Sequence, residues 1–224
     1  MEVTFLDKLG TDLSVVDAAR VSFGNKSQWQ KHIPAQGIYE LSDKDKKLIK
    51  YLAKHNHWSP FAHTSIQIRV KAPIFVARQL VKHQVGLCWN EISRRYVDSE
   101  PEFYFPEVWR GRPTDKKQGS SDEVIVWVDR EERTGTALRR VCRDAVQSYN
   151  KMIEAGVTPE QARMILPQNT YTEWVWTGSV LAFARICNLR CKADAQKETQ
   201  EVAWQIDEIV RENFPVSWNE LREE

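Results

Sequence analysis

The clearest pattern of hydrophobic and polar positions is the strict alternation in SIQIRVK, residues 65–71. Ile66, Ile68 and Val70 fall on one side of an extended chain, which predicts a strand with one buried face. The segments EVTFLD (2–7) and TYTEWVWT (170–177) are typical of two further strands. Three strands are therefore expected, separated by long stretches of other structure.

Helical patterns fill most of those stretches. They predict helices over residues 12–21, 43–55, 73–83, 122–155, 158–166, 179–190 and 194–213. Prolines 73 and 159 suit a first helical turn and Ser179 suits an N-cap, whereas Ser59-Pro60 disfavours helix within the turn-like segment 55–63. The pattern predicts an α+β (mixed α/β) fold, with residues 1–224 forming a single domain whose central sheet is flanked by several long helices.

The predicted helix 73–83 carries one polar face and runs into a polar segment. At about 100° per residue, four polar residues fall within roughly 140° of arc: Arg78, Gln79, Lys82 and His83. Gly86 ends this helix, and NEISRRYV (90–97) is expected to be extended, which places Glu91, Ser93 and Arg95 on one face.

Charge is concentrated locally in a chain that is nearly neutral overall. The formal net charge is +1, with 42% hydrophobic and 28% charged residues, which excludes a polyanion-binding tail. Between Arg78 and Arg95 there are four Lys or Arg and one Glu. Guanidinium groups suit phosphate, whereas the alternative is a solvated surface. Trp89, Ile92 and Tyr96 interrupt the charges, which indicates that part of the segment is packed.

The cellular setting follows from hydropathy and cysteine usage. No apolar run reaches the length of a membrane span, and the N-terminus lacks the apolar stretch of a signal peptide. The four cysteines form no C-x-x-C pair. We therefore expect a cytoplasmic protein with no membrane partner.

Two other functions remain open from the residues alone. His55, His57, His63 and Glu91 are candidate ligands of a metal-dependent hydrolase or nuclease. Their spacing matches no metal motif, so packing or hydrogen-bonded histidines are favoured and no metal is expected. Arg78, Lys82, Arg94 and Arg95, with nearby aromatic residues, are candidates for a non-catalytic nucleic-acid-binding module. Overall neutrality argues against that module, and we expect no nucleic-acid partner.

Nucleophile and nucleotide motifs are weak or missing. Cys88 has cationic neighbours that favour a thiolate, but no base is identifiable beside it, and Ser93 lacks a G-x-S-x-G setting. The sequence contains neither a Walker A loop nor G-x-G-x-x-G.

Six segments in a fixed order carry a resemblance to a known family. They are AARVSF (18–23), HWSPFAH (57–63), VKAPIFVARQ (70–79), WNEISRRY (89–96), ARMILPQNTYTEW (162–174) and NLR followed by AQ-x-x-x-Q (188–200). Together they resemble the flavin-dependent thymidylate synthases; residues 101–157 contribute little. The resemblance implies FAD-dependent reductive methylation of dUMP to dTMP. Methylenetetrahydrofolate would give the one-carbon unit and NADPH would reduce the flavin. It also implies a homotetramer with active sites shared between subunits.

The resemblance assigns roles to particular positions. The dUMP-binding positions are Arg78, Gln79, Lys82, Glu91, Ser93, Arg94, Arg95, Arg163 and Arg190. The FAD-binding positions are His57, Ser59, Lys82, His83, Gln84, Glu91, Ser179, Leu181 and Arg185. Arg190 is the catalytic position: it favours the N3-ionised pyrimidine, so the uracil ring is activated without an enzyme nucleophile.

The signature of this chain departs from the family pattern. Arg-His-Arg followed by seven residues and Ser becomes Lys82-His83-Gln84 followed by eight residues and Ser93. Lys82 replaces a planar guanidinium, which can donate two parallel hydrogen bonds, with a single point charge, and Gln84 carries no charge. The extra residue predicts a bulge near Gly86, where glycine supplies the flexibility.

Overall fold

A computed structural model describes residues 1–36, 38–97, 99–114 and 119–223. The strands are β1 Glu2–Leu9, β2 Lys31–Ile33, β3 Ile38–Glu40, β4 Ser65–Pro73, β5 Leu87–Glu91 and β6 Tyr171–Ser179. The helices are α1 Asp12–Arg20, α2 Asp43–Lys54, α3 Ser59–Ala62, α4 Ile74–Leu80, α5 Thr134–Glu154, α6 Pro159–Ala162, α7 Val180–Arg190, α8 Lys197–Asn213 and α9 Pro215–Leu221.

The main sheet is antiparallel, in the order β1-β4-β6-β5. In the β4–β6 pair, Ile68 lies opposite Trp176 and Val70 opposite Trp174. These side chains are buried, as the alternation of β4 predicts, and they pack against apolar residues of α4, α7 and α8. The α+β prediction is confirmed. The sheet buries one apolar face beneath helices, and polar residues line the ends of its strands.

A second apolar cluster joins the N-terminal helices. Val16 of α1, Ile49 of α2 and Phe61 of α3 are buried in it. Leu221 packs against both this cluster and the main one. This shared contact connects the two clusters, and the assignment of residues 1–224 to a single domain stays a prediction. Within the described residues, no helix has the length and the apolar composition needed to cross a bilayer.

Three sequence predictions near the site are wrong in detail. Ser59 begins the one-turn helix α3, where Pro60 lies in the first turn and the N–H it lacks would have no helical partner. The extended prediction for 90–97 holds only to Glu91, because the Tyr96 N–H donates to the Ser93 carbonyl at 3.0 Å and closes a turn. Glu91, Ser93 and Arg95 therefore do not share a strand face.

The helix predicted over 122–155 begins only at Thr134. Residues before it pair with residues 109–111 instead: the Gly111 N–H donates to the Glu123 carbonyl at 2.7 Å and the Ile125 N–H to the Trp109 carbonyl at 2.8 Å. The β-branched run at 124–126 favours this extended pairing. The helix predicted over 194–213 begins at 197 and is followed by α9, which the sequence prediction missed along with the short β2–β3 pair.

Candidate functional site

The segment between α4 and β5 forms a tight turn. The Leu87 N–H donates to the Gln84 carbonyl at 3.2 Å, and Gly86 has φ +76°. A residue with a side chain rarely adopts that φ, so glycine suits this position. The pairing of β5 with β6 is continuous from Leu87 to Glu91. β5 itself therefore contains no bulge, and the predicted irregularity at Gly86 takes the form of a turn over residues 84–87.

Arg190 and His83 are held together across 107 residues of sequence. Arg190 is the last residue of α7, and its Nε donates to His83 Nε2 at 3.0 Å. His83 accepts this bond only as a neutral imidazole, because both nitrogens of the protonated ring are donors. Burial, and after it the neighbouring Arg190 charge, lower the pKa of His83. Burial also lowers the pKa of Arg190. Two of the predicted site residues are therefore brought into direct contact.

Arg190 lines a cavity of about 480 Å³, which we call the Arg190 cavity. Its other walls include Gln79, Arg110, Ser120, Gln196 and Lys197. Gln79 Nε2 donates to Gln196 Oε1 at 3.3 Å, and Gln196 Nε2 donates to Glu198 Oε2 at 3.1 Å. Polar groups from α4, α7, the start of α8 and the segment before α5 thus surround a single space.

Glu198 is a buried carboxylate behind this cavity. Its side chain is 7% exposed, and Arg110 Nη2 donates to its Oε1 at 2.7 Å. Burial raises the pKa of Glu198, but the hydrogen bond from Arg110, a backbone hydrogen bond at Glu198, the Arg110 charge and the hydrogen bond from Gln196 together outweigh burial, and the net shift is downward. The carboxylate is therefore ionised at neutral pH and accepts from both neighbours.

A second cavity, of about 310 Å³, lies beyond the ends of β5 and β6, and we call it the strand-end cavity. Glu91, Arg94 and Arg163 line it. Glu91 Oε1 accepts from Thr172 Oγ1 at 2.6 Å and Oε2 accepts from Trp89 Nε1 at 3.1 Å. Arg94 Nη1 donates to the Ser99 carbonyl at 2.8 Å. Two predicted arginines and a fixed carboxylate therefore face one space.

Ser93 and Arg95 lie in the turn beside this cavity. Ser93 Oγ accepts from the Arg95 N–H at 3.3 Å. Arg95 is paired with Glu160 at 3.4 Å, and Arg163 Nε donates to the Glu160 carbonyl at 3.3 Å. These contacts gather Ser93, Arg95 and Arg163 at the edge of the strand-end cavity.

Two of the positions expected to bind flavin line a third cavity, of about 570 Å³, which we call the α7 cavity. Leu181 and Arg185 line it together with Trp58, which is 61% exposed and stands between His57 and Ser59. An exposed aromatic face and a leucine suit a planar ring system, and a guanidinium suits a phosphate, so these residues fit a flavin dinucleotide. Ser179 caps α7 by accepting from the Ala182 N–H at 3.2 Å.

The remaining predicted residues are exposed. Arg78 on α4 and both Lys82 and Gln84 after it face solvent in the single chain. Apart from Arg78 and Lys82, the predicted dUMP positions form two groups in one chain. Gln79 and Arg190 lie at the Arg190 cavity, and five residues lie at or beside the strand-end cavity, namely Glu91, Ser93, Arg94, Arg95 and Arg163.

The two alternative functions gain little from the structure. Among the described residues, no group of three or more His, Cys, Asp or Glu is placed to hold a metal ion. The proposed set of His55, His57, His63 and Glu91 therefore supplies no such group. Of the proposed nucleic-acid surface, Arg94 lines the strand-end cavity, whereas Arg78 and Lys82 face solvent.

Several residues of the Arg190 cavity were missed by sequence reasoning. Arg110 and Ser120 lie in the region where the resemblance is weakest, and no local pattern marks them. Gln196 belongs to the AQ-x-x-x-Q segment, which is part of the family resemblance, but the resemblance assigned no role to this residue.

Comparisons with known proteins agree on one family. A family model described as thymidylate synthase complementing protein matches residues 4–216. A Thermus thermophilus protein named flavin-dependent thymidylate synthase is 37% identical over 221 residues, covering 99% of this chain and 75% of that protein. A Thermosipho melanesiensis protein of the same name is 38% identical over 210 residues, covering 94% of this chain and 85% of that protein.

A solved structure shares the fold over nearly the whole chain. It is a UMP/dUMP methylase, PolB from Streptomyces cacaoi, bound with 5-Br dUMP. Its TM-score is 0.80 at 29% identity, and the match covers 98% of this chain and 93% of that chain.

Proposed function

The chain belongs to the flavin-dependent thymidylate synthase family, and on that premise we propose that it converts dUMP to dTMP by reductive methylation. Methylenetetrahydrofolate supplies the one-carbon unit and NADPH supplies the reducing equivalents by way of FAD. The observation that carries the proposal is the Arg190 guanidinium, which His83 fixes at 3.0 Å in the wall of a cavity large enough for a pyrimidine.

In this proposal the two groups of nucleotide-binding residues act on one dUMP. Arg94, Arg95 and Arg163 hold the phosphate, because planar guanidinium forks match its oxygens. Arg190 and Gln79 meet the base. One chain places these groups in different cavities, so the complete site forms between subunits of a homotetramer. The strand-end cavity of one subunit then faces the Arg190 cavity of its neighbour.

Arg190 has the chemical role in this proposal. Uracil C5 is a poor nucleophile, and a fixed cation at the N3/O2 edge stabilises negative charge on the ring and raises electron density at C5. The Arg190 side chain suits this task because its Nε is already held by a neutral imidazole, which leaves its positive charge uncompensated. No enzyme thiolate is required, and Cys88 is exposed on β5.

The flavin contacts are proposed from the α7 cavity. Leu181 and Arg185 bind FAD there. The remaining flavin contacts come from His57, Ser59, Lys82, His83, Gln84, Glu91 and Ser179, which lie outside that cavity in the single chain. When bound, the flavin supplies hydride to the one-carbon unit attached to the pyrimidine. The protein residues orient the two rings against each other and keep water away from them.

The test is a visible absorption spectrum of the purified protein, followed by a turnover assay. Flavin absorption that changes on addition of dUMP, together with dTMP formation that requires both methylenetetrahydrofolate and NADPH, is expected. UMP is compared as a substrate, because the PolB relative is named for both nucleotides. Arg190→Ala should abolish dTMP formation, while Lys192→Ala, which removes an exposed cation two residues away, should retain it. A colourless protein that takes up no added FAD would refute the proposal.

A further inference from the structure

Four side chains from three parts of the sequence are connected in series by hydrogen bonds behind the Arg190 cavity. Arg110 Nη2 donates to Glu198 Oε1 at 2.7 Å, and Gln196 Nε2 donates to Glu198 Oε2 at 3.1 Å. Gln79 Nε2 in turn donates to Gln196 Oε1 at 3.3 Å. Arg110 is further held by Ser120, whose Oγ accepts from Arg110 Nε at 2.9 Å.

The order of donors and acceptors along this chain of bonds has one direction. An ionised carboxylate only accepts hydrogen bonds, so Gln196 must turn its NH2 group towards Glu198. The carbonyl oxygen of Gln196 then faces Gln79, and Gln79 must present its own NH2 to it. The carbonyl oxygen of Gln79 is left at the end of the series. The carboxylate thus sets the orientation of two amides, the second of which lines the cavity.

The carbonyl oxygen of Gln79 is buried and has no hydrogen-bond partner within the described residues. A buried acceptor without a donor is unfavourable, and native structures normally supply one. Because Gln79 and Arg190 line the same cavity, a ligand in that cavity is the available source of a donor.

We propose that Arg110 and Glu198 are positioning residues that fix Gln79 as a hydrogen-bond acceptor for the bound nucleotide. The inference rests on the proposed function. The nucleoside part of neutral dUMP has two donors, the ring N3–H and the 3′-hydroxyl, and either satisfies the Gln79 oxygen; once N3 is ionised beside Arg190, only the 3′-hydroxyl remains as a donor. Arg110 keeps Glu198 ionised; a protonated Glu198 would also donate, and the amides would lose their fixed direction.

The experiment measures dUMP binding to the FAD-loaded protein by calorimetry, without turnover. Glu198→Gln and Arg110→Met interrupt the series at its far end, and Arg110→Lys retains the charge opposite Glu198. Glu132→Gln is the matched control, because it also replaces a carboxylate paired with an arginine, Arg140 at 3.0 Å, in a pair that does not line the cavity. Two analogues each lack one donor: 3-methyl-dUMP and 2′,3′-dideoxyuridine monophosphate.

Glu198→Gln and Arg110→Met are expected to weaken dUMP binding about tenfold, which corresponds to roughly 1.4 kcal/mol. Glu132→Gln should bind as the wild type does, and Arg110→Lys should regain most of the affinity. The analogue that lacks the relevant donor should bind the wild type about tenfold more weakly than dUMP does, and Glu198→Gln should weaken it no further. That analogue identifies the donor.

Equal dUMP affinity in the wild type, Glu198→Gln and Arg110→Met would overturn this inference and leave the proposed function standing. A parallel loss for dUMP and both analogues would also overturn it, because general damage to the cavity has that effect. A wild-type protein that binds FAD but not dUMP would overturn the proposed function and this inference with it.

Discussion

The hydrogen bond between Arg190 and His83 gives the most specific prediction about the reaction. His83→Ala removes the acceptor, whereas His83→Gln places a carbonyl oxygen near the position of Nε2 and keeps it. A hydrogen bond to a charged group contributes about 1.5–3 kcal/mol. Both side chains are only partly buried, so we take the lower end, which corresponds to roughly a tenfold loss of kcat/KM for dUMP in His83→Ala.

The pH dependence of this bond has a definite sign. The pKa of His83 is lowered, so the unfolded chain binds a proton on this residue at a pH where the folded chain does not. The neutral ring is fully available above its unfolded pKa of about 6.5. As pH falls below that value, this contribution to stability decreases, and the bond itself is lost as pH falls through the folded pKa. Protonation also places a second cation beside Arg190.

The assay is kcat/KM for dUMP between pH 5 and 8, with bound FAD measured for each variant by its absorbance. We expect His83→Ala to lose about tenfold at neutral pH and His83→Gln to retain activity within roughly threefold of wild type, since its acceptor replaces Nε2. In wild type, protonation of His83 contributes to the decrease of kcat/KM at low pH. We expect this contribution to be absent in both variants. Variants that lose activity equally while keeping their FAD would show that the acceptor has no role, and an unchanged decrease at low pH would show that His83 does not cause it.

Further predictions concern the mechanism and the fold. Arg190→Ala should abolish measurable dTMP formation, a loss of at least roughly a hundredfold to a thousandfold, with unchanged thermal unfolding; normal turnover would remove Arg190 from the mechanism. Cys88→Ala should turn over at a rate close to wild type, and an inactive but folded variant would point to a thiol mechanism. Gly86→Ala should destabilise the fold by about 1–2 kcal/mol in denaturant unfolding, because φ is +76° and the new Cβ would lie 3.2 Å from Ser179 Oγ. Trp174→Ala, at a position 1% exposed, should cost about 3–5 kcal/mol in the same assay, and a loss below 1 kcal/mol would contradict its core position.

The elements beside the site were predictable because their signals are local. The alternation in SIQIRVK defines β4, and Pro73 marks its junction with α4. Ser179 caps α7 as expected, with its Oγ accepting from the third residue of the helix. Strand periodicity and helix caps depend on neighbours a few residues away, and for this reason sequence alone is enough to locate them.

The meeting of side chains across the fold was not predictable in this way. His83 and Arg190 are 107 residues apart, and Arg110 and Glu198 are 88 apart. The sequence contains no periodic signal for such contacts, because they depend on how the sheet and helices pack. The resemblance to the family assigns a role to Arg190. It contributes little over residues 101–157, so the position of Arg110 beside the cavity could be recognised only from the folded structure.

The apolar residues among the charges of KHQVGLCWNEISRRY explain how the polar groups are held. The Trp89 ring stacks on buried Trp174 with 4.2 Å between centroids, while its Nε1 donates to Glu91. Core packing thus fixes the Glu91 carboxylate before any ligand binds. The conformational entropy of that side chain is lost during folding and not during binding. The charges themselves contribute less, since the Arg95–Glu160 pair is about half exposed on both sides and such pairs stabilise by about 0–1 kcal/mol. The free energy that orients the site therefore comes mainly from the tryptophan core, and the charged groups remain available to a ligand.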